Sequence, residues 1–424
     1  MAVFASAEFL IPEERYLDKW AVIACDQFTS QPEYWREAGQ TVGSAPSALN
    51  IIFPEAFLGE EGRIEAINAH MRDYLAAGFL RRYPDSYIYV ERTLLNGTIR
   101  RGIVGVIDLE AYDHSPRART PIRATERTVV ERIPPRVKIR ENAPMETSHV
   151  LLLCDDRSKS VIEETRKGEK LYDFDLMLGG GHIAGWLITG EEARRLEKRI
   201  RDYEAEMDAR YAGTDPIYYA VGDGNHSLAT AKRCWERDRK ERWAMVELEN
   251  IHDEAQGFEP IHRVVKGRRP EEILRALEAV CAPGGYPVTC IWGKEKRTVT
   301  LNPALGKLPV GIVQTFLDQQ EGITMDYIHG EEAAARLAEA PDTLAILLPA
   351  IPKEDLFPGL SADGVLPGRP SRWVTPRRSA TIWSAGASAR RRRDEAGVHH
   401  RQRRRGQDDR WAGAGEADRP AALP

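Results

Sequence analysis

Seven consecutive residues, Val221-Gly222-Asp223-Gly224-Asn225-His226-Ser227, gather more chemistry than any other stretch of the chain. An apolar β-like run, Ile217-Tyr218-Tyr219-Ala220-Val221, flows into two glycines with Asp223 between them. It continues into Ser227-Leu228-Ala229-Thr230-Ala231-Lys232, which reads as the first turns of a helix. Glycine lets the backbone approach a ligand closely, and the first N–H groups of a helix have no intrahelical partner, so such a junction cradles phosphate. In that reading the N–H groups of Gly224 to Ser227, with the Asn225 and His226 side chains, hold the phosphates. Asp223 binds Mg²⁺ or orients an acceptor hydroxyl, since hard oxygen ligands suit that ion. The plainer alternative is an Asp-Gly turn followed by Ser227 as a helix cap.

Three other stretches hold polar groups of interest. Arg123-Ala124-Thr125-Glu126-Arg127-Thr128 lies in a charged region; it is either a solvated face or a loop that positions phosphate through Arg123 or Arg127, with Glu126 as acid or base. His262-Arg263 interrupts the apolar β-like run 258–265, where unpaired charge is costly; the pair either faces solvent at a sheet edge or meets an anionic ligand. His182 follows Gly179-Gly180-Gly181 and reads equally as a packed strand residue or a ligand. No helix follows those glycines at once, so they are a flexible turn and not a dinucleotide fingerprint.

The elements that must position these groups follow from periodicity. Trp20–Cys25 is expected as a buried strand, leading through the polar loop 26–31 into a helix near Tyr34 and Trp35. Ile64, Ile67, Met71, Leu75 and Phe79 recur at helical spacing over 62–80. Two β-like runs, 86–91 and 101–109, flank Asn96-Gly97, a strong hairpin signal. Strands are expected at 149–154, 243–248 and 344–348, with another ending at Asp326–His329, and a charged helix at 191–207 shows Ala193, Leu196, Ile200 and Tyr203 on one face.

The chain has 424 residues, enough for two or three domains, and no apolar run approaches the roughly 20 residues that span a bilayer. No secretory leader is expected at the N-terminus, and five scattered cysteines without a CxxC pair argue for free thiols in the cytoplasm. Residues 368–424 hold fourteen Arg, no Lys and six acidic residues, a balance of +8; with −5 for the whole chain, residues 1–367 carry −13. An acidic body argues against non-specific nucleic-acid binding. After Pro367 the hydrophobic periodicity stops, and Arg, Ala, Gly, Pro and Trp dominate, as high-GC coding DNA gives when read out of frame. The expectation is a frameshift near residue 367 and a disordered tail without function.

The order and spacing of these motifs resemble the bacterial domain-of-unknown-function family 1015, whose hallmark is a strand followed by Asp-Gly-His-His-Arg-Tyr and a helix. The matching stretch is Asp223-Gly224-Asn225-His226-Ser227-Leu228, with Asn225 and Ser227 in place of the family's first His and its Arg. The Thr125-Glu126 loop, the Pro260-Ile261-His262-Arg263 strand and the late Leu347-Leu348-Pro349 strand extend the match over roughly residues 15–367; the family's terminal Met-Pro-x-Lys-Ser-Thr-like segment is cut off after Leu366-Pro367. The turn is in turn similar to the phosphate loop of the ParB and sulfiredoxin superfamily, which includes free-serine kinases.

The resemblance implies an α+β fold of mixed sheets and packed helices, with a ParB/sulfiredoxin-like core around the strand–turn–helix phosphate loop. The expected regions are 1–160, α+β with a β-ribbon; 161–367, α/β with the loop; and the tail 368–424. It further implies a nucleotide-dependent phosphotransferase acting on a small hydroxyl metabolite such as free serine, with Mg²⁺ and ATP or ADP. The roles implied are Asp223 and Glu126 as catalytic groups, Gly224, Asn225, His226 and Ser227 at the phosphates, and Arg263, His262 and Arg127 at the substrate or the developing charge. Loss of the terminal segment implies binding with poor turnover. A non-catalytic nucleotide- or metabolite-binding regulator and a nucleotide hydrolase are the alternatives; a clamp on DNA would need a basic surface, which the acidic body lacks. Oligomeric state is not encoded legibly.

Overall fold

Asn96 and Gly97 form the turn of the central hairpin: Asn96 Oδ1 accepts from the Thr98 N–H (3.1 Å) and hydroxyl (2.7 Å), and Gly97 adopts φ +82°. The computed structural model describes residues 2–23, 28, 31–57, 60–128, 133–147, 150–365, 371–373 and 388–390. Residues Met1–Arg391 form one compact unit; a second, Arg392–Pro424, lies outside the described residues, as does most of the tail expected to be disordered.

In chain order the strands begin β1 (Phe4–Ala5), β2 (Ala7–Pro12), β3 (Leu80–Thr93), β4 (Ile99–Asp108), β5 (Tyr112–Asp113) and β6 (Ile122–Ala124). Next come β7 (Leu151–Cys154), β8 (Lys170–Asp175), β9 (His182–Ile188), β10 (Tyr219–Asp223), β11 (Trp243–Asn250) and β12 (Phe258–Lys266). Last are β13 (Cys281–Trp292), β14 (Glu295–Leu301), β15 (Thr324–His329), β16 (Thr343–Leu347), β17 (Ser371–Trp373) and β18 (Ser388–Arg390). The first five helices are α1 (Leu17–Trp20), α2 (Pro32–Val42), α3 (Arg63–Ala77), α4 (Ile133–Arg140) and α5 (Gly190–Arg210). The others are α6 (Asn225–Asp238), α7 (Pro270–Leu277), α8 (Pro309–Asp318), α9 (Glu331–Leu337) and α10 (Lys353–Asp363). This is the expected α+β architecture; among the described residues no helix is long and apolar enough to cross a membrane.

A mixed sheet has the order β18-β2-β3-β4-β11-β7-β10-β6-β5, with β9 also on β3, β8 on β9 and β1 on β4. It draws strands from both sides of residue 160. Its central strands are apolar on both faces: Tyr87, Tyr89, Ile103 and Ile107 enter one core, and Ile88, Val90, Val104 and Val106 the other. The near-continuous apolar runs in the sequence reflect that two-sided burial. The second sheet, β14-β13-β16-β12-β15 with β17 on β12, is antiparallel throughout its described pairs.

Three expectations are corrected locally. Trp20 ends α1 instead of opening a strand, and Cys25 lies outside the described residues. The helix expected over 62–80 stops at Ala77, where Gly78 takes φ +76°; Leu75 packs against the core as expected, and Tyr74 turns inward beside it, its hydroxyl accepting from Ser47 N–H (3.2 Å) and Asn50 Nδ2 (2.9 Å). Strand β12 is not an edge: it lies between β15 and β16, and His262 and Arg263 are fully buried.

Candidate functional site

Strands β5, β6 and β10 run parallel, with Tyr112 and Tyr219 both paired to Ile122, so their carboxyl ends open at one place. Ligands of open sheets bind outside such ends. Out of them lead His114-Ser115, Thr125-Glu126 and Asp223-Gly224. The Thr125 hydroxyl donates to the Val221 carbonyl at 2.7 Å, fastening the exit of β6 to that of β10 and setting Glu126 at the exit next to Asp223.

The β10 exit is shaped by its two glycines. Against β7, Val221 pairs with Leu152 and Asp223 with Leu151, so Gly222 is an extra residue, a bulge that re-aims the turn beyond it. A Cβ on Gly222 would lie 3.0 Å from the Leu153 side chain. Gly224 takes φ +82° and ψ +24°, a left-handed conformation that costs a side-chain-bearing residue about 1–2 kcal/mol. Helix α6 starts at once, its first bond running from Leu228 N–H to the Gly224 carbonyl at 3.0 Å. The N–H groups of Asn225, His226 and Ser227 therefore lie off the positive end of α6. Gly224 N–H donates to Asp223 Oδ1 at 2.7 Å, so the cradle has three N–H groups where four were expected. Ser227 is the third helical residue and not the cap; Gly224 is.

The side chains divide sharply. Asn225 is 3% exposed and its Oδ1 has no hydrogen-bond partner among the described residues, a condition worth about 1–3 kcal/mol in a buried group. His226, Ser227, Asp223 and Glu126 are half-buried, and Arg127 is exposed. Arg123 is directed elsewhere: its Nε donates to the Thr120 carbonyl (3.0 Å) and Nη2 to the Asp215 carbonyl (2.7 Å), at the amino ends of β6 and β10. Burial holds its pKa below the ordinary arginine value. Of the two arginines considered for phosphate, the structure leaves Arg127 at the loop.

Arg263 and His262 belong to the second sheet. Arg263 Nε donates to Gln314 Oε1 (2.8 Å) and Nη1 to the Ile261 carbonyl (2.5 Å), its guanidinium lies 4.5 Å from the Tyr327 ring centre, and burial pushes its pKa down to about 10. His262 Nδ1 accepts from Leu348 N–H at 3.1 Å, which puts its proton on Nε2; burial lowers its pKa. No described hydrogen bond or ion pair carries either side chain to the Asp223 loop. His182 is held between Asp173 (Nε2, 2.7 Å) and Asp175 (Nδ1, 2.8 Å).

Two features were not read from the sequence. One is the β5 exit. Burial raises the Asp113 pKa, but hydrogen bonds from the Ser115 N–H (2.9 Å) and hydroxyl (2.7 Å), with His114 and Lys232 nearby, outweigh it and leave the carboxyl below its usual range. Two-residue strands carry no detectable periodicity. The other is an ion network inside the sheet: Arg100 lies 3.4 Å from Glu247 and 2.9 Å from Glu249, all at most 2% exposed. The alternation Glu247-Leu248-Glu249 reads as a half-solvated strand, and only the burial of both faces shows otherwise.

Comparison with known proteins gives a family and a set of distant folds. A family model described as "Protein of unknown function (DUF1015)" matches residues 9–345. No curated protein matches. Among solved structures, a free serine kinase in complex with AMP is similar at 13% identity, covering 66% of this chain and 90% of its own, with a TM-score of 0.37. SbnI with a C-terminal truncation from Staphylococcus aureus is similar at 10% identity, covering 73% and 97%, with a TM-score of 0.38. A conserved hypothetical protein from Pyrococcus furiosus is similar at 14% identity, covering 65% and 92%, with a TM-score of 0.34.

Proposed function

The chain belongs to the family of proteins of unknown function DUF1015, and we propose that it is a cytoplasmic, nucleotide-dependent phosphotransferase whose acceptor is a small hydroxyl metabolite such as free serine. The observation that carries this reading is the Thr125–Val221 hydrogen bond, which sets a carboxylate, Glu126, at the strand exit adjoining a three-amide helix terminus. Phosphoryl transfer asks little covalent work of a protein; it needs an aligned acceptor, a base and donors on the transferring oxygens. Asn225, His226 and Ser227 supply the donors, Glu126 takes the acceptor's proton, and Asp223 orients the acceptor hydroxyl. Arg127 is the cation at the loop. His262 and Arg263 act within the second sheet, holding β12.

A nucleotide of this kind is used with Mg²⁺, which neutralises phosphate charge. Among the described residues no group of three or more His, Cys, Asp or Glu is arranged to hold a metal, so the ion fits here only as Mg²⁺ usually does, on one or two carboxylates plus phosphate oxygens. Asp223 would be that carboxylate, which leaves Glu126 to act as the base. The reading is tested by incubating the protein with ATP or ADP, Mg²⁺ and a pool of free amino acids. A phosphorylated amino acid is the expected result; nucleotide loss without product makes it a hydrolase, and binding without turnover a regulator.

A further inference from the structure

The β5 exit adds a residue to the site. His114 stands one residue beyond Asp113, which pairs with Arg123, so it is level with Ala124 and one residue short of Thr125. Its ring stacks on Tyr112 at 6.3 Å. On the outer side, Val365 N–H donates to the Pro116 carbonyl at 3.1 Å, and Gly364 (φ +79°) passes so close that a Cβ there would lie 2.3 Å from that oxygen. The residues after α10 thus pack on the loop two residues beyond His114. His114 Nδ1 is buried and, among the described residues, has no hydrogen-bond partner.

Buried polar side-chain atoms in proteins are in the large majority hydrogen-bonded. Among the described residues, four that are not belong to β5 and to the segments that follow β5, β6 and β10: Tyr112 Oη, His114 Nδ1, Thr128 Oγ1 and Asn225 Oδ1. The set includes both kinds of group: a hydroxyl or an imidazole gives or takes a hydrogen bond, whereas the Asn225 oxygen only takes one. A phosphate, having only acceptors at neutral pH, meets this amide only when it turns Nδ2 inward. An ammonium or hydroxyl satisfies Oδ1.

We propose that His114, with Asn225 and Thr128, binds the non-reacting polar groups of the acceptor, a compact molecule that carries hydrogen-bond donors as well as acceptors. This rests on the phosphotransferase reading and divides the site: backbone amides of α6 for the nucleotide phosphates, orphaned side chains for the acceptor. Two strand spacings of about 5 Å separate β5 from β10, a gap that a small metabolite spans.

The test pairs His114→Phe, which removes the ring nitrogens, with His114→Asn, whose amide returns a polar atom near Nδ1. In steady-state kinetics with Mg²⁺, ATP or ADP, and free L-serine, H114F is expected to raise the acceptor KM about tenfold or more. The nucleotide Kd and melting temperature should stay at wild-type values, and H114N should recover most of the loss. An unchanged acceptor KM in H114F, or an equal loss in both nucleotide and acceptor binding, overturns the assignment. If the wild type binds nucleotide but phosphorylates no acceptor, the phosphotransferase reading fails by itself, and the imidazole ¹⁵N signals of the wild type decide His114. A shift of its signal on adding the amino-acid pool upholds the binding role; a signal that does not move overturns it.

Discussion

Asp223 and Glu247 flank the same residue, Leu151, from either side of β7. Glu247 is 1% exposed and lies 3.4 Å from Arg100, which also meets Glu249. Asp223 is half-buried, at a strand exit, before a helix whose amides point off its end. Both are carboxylates on one sheet, but the buried one is fixed by a cation that itself cannot leave, and so its charge belongs to the fold. The other sits where charge can be added or removed without opening a core. Around Glu247 opposite charges are packed together, whereas Asp223 adjoins the amide end of a helix.

The largest effects are expected at the strand exits. Asp223→Asn and Glu126→Gln should each lower kcat by about 10²–10⁴-fold, the range for lost acid–base or orienting groups, with melting temperatures near wild type. Unaltered turnover in both variants would remove the active-site reading from the β6 and β10 exits. Arg100→Met should do the reverse: leaving Glu247 and Glu249 buried without their cation costs about 3–5 kcal/mol of stability by denaturant unfolding. At a temperature where the variant remains folded, nucleotide binding should match wild type; a selective loss of binding would join the two regions into one site.

Thr125→Val lies between them. It leaves the buried Val221 carbonyl without its donor, about 1–3 kcal/mol, and frees the Glu126 exit, so stability and kcat should fall together. A stability loss with kcat intact would show that the hydrogen bond does not position Glu126. The smallest effect concerns pH. Burial raises the Glu249 pKa to about 8, against the pull of Arg100 and with Glu247 and Asp253 adding to the rise. A carboxyl whose folded pKa exceeds its unfolded value binds its proton more tightly when folded. Its stabilising contribution is complete below the unfolded pKa, about 4.3, and is lost as pH rises through about 8. The wild type should therefore lose stability relative to Glu249→Gln between those limits; parallel melting profiles of the two proteins would contradict it.

Much of this molecule is set by local physics. The Asn96-Gly97 hairpin, the charged helix that became α5 and the strand–turn–helix at 219–228 need only turn chemistry and periodicity, which neighbouring residues carry. The family, too, is legible in the order of short motifs. What the sequence could not determine is which polar residue meets which. Arg123 and Arg127 look alike in the chain; only the packing of the segment before β10 ties one to backbone carbonyls and leaves the other exposed. His262-Arg263 looked like an edge or a ligand site, and its place between two strands was decided by β15 and β16, more than fifty residues later in the chain. His114 follows a two-residue strand with no pattern of its own, and stands level with the β6 exit only because β5 pairs with β6. Contacts between residues distant in sequence fix burial and partnership, and those two quantities decide whether a charged side chain supports the fold or faces a substrate.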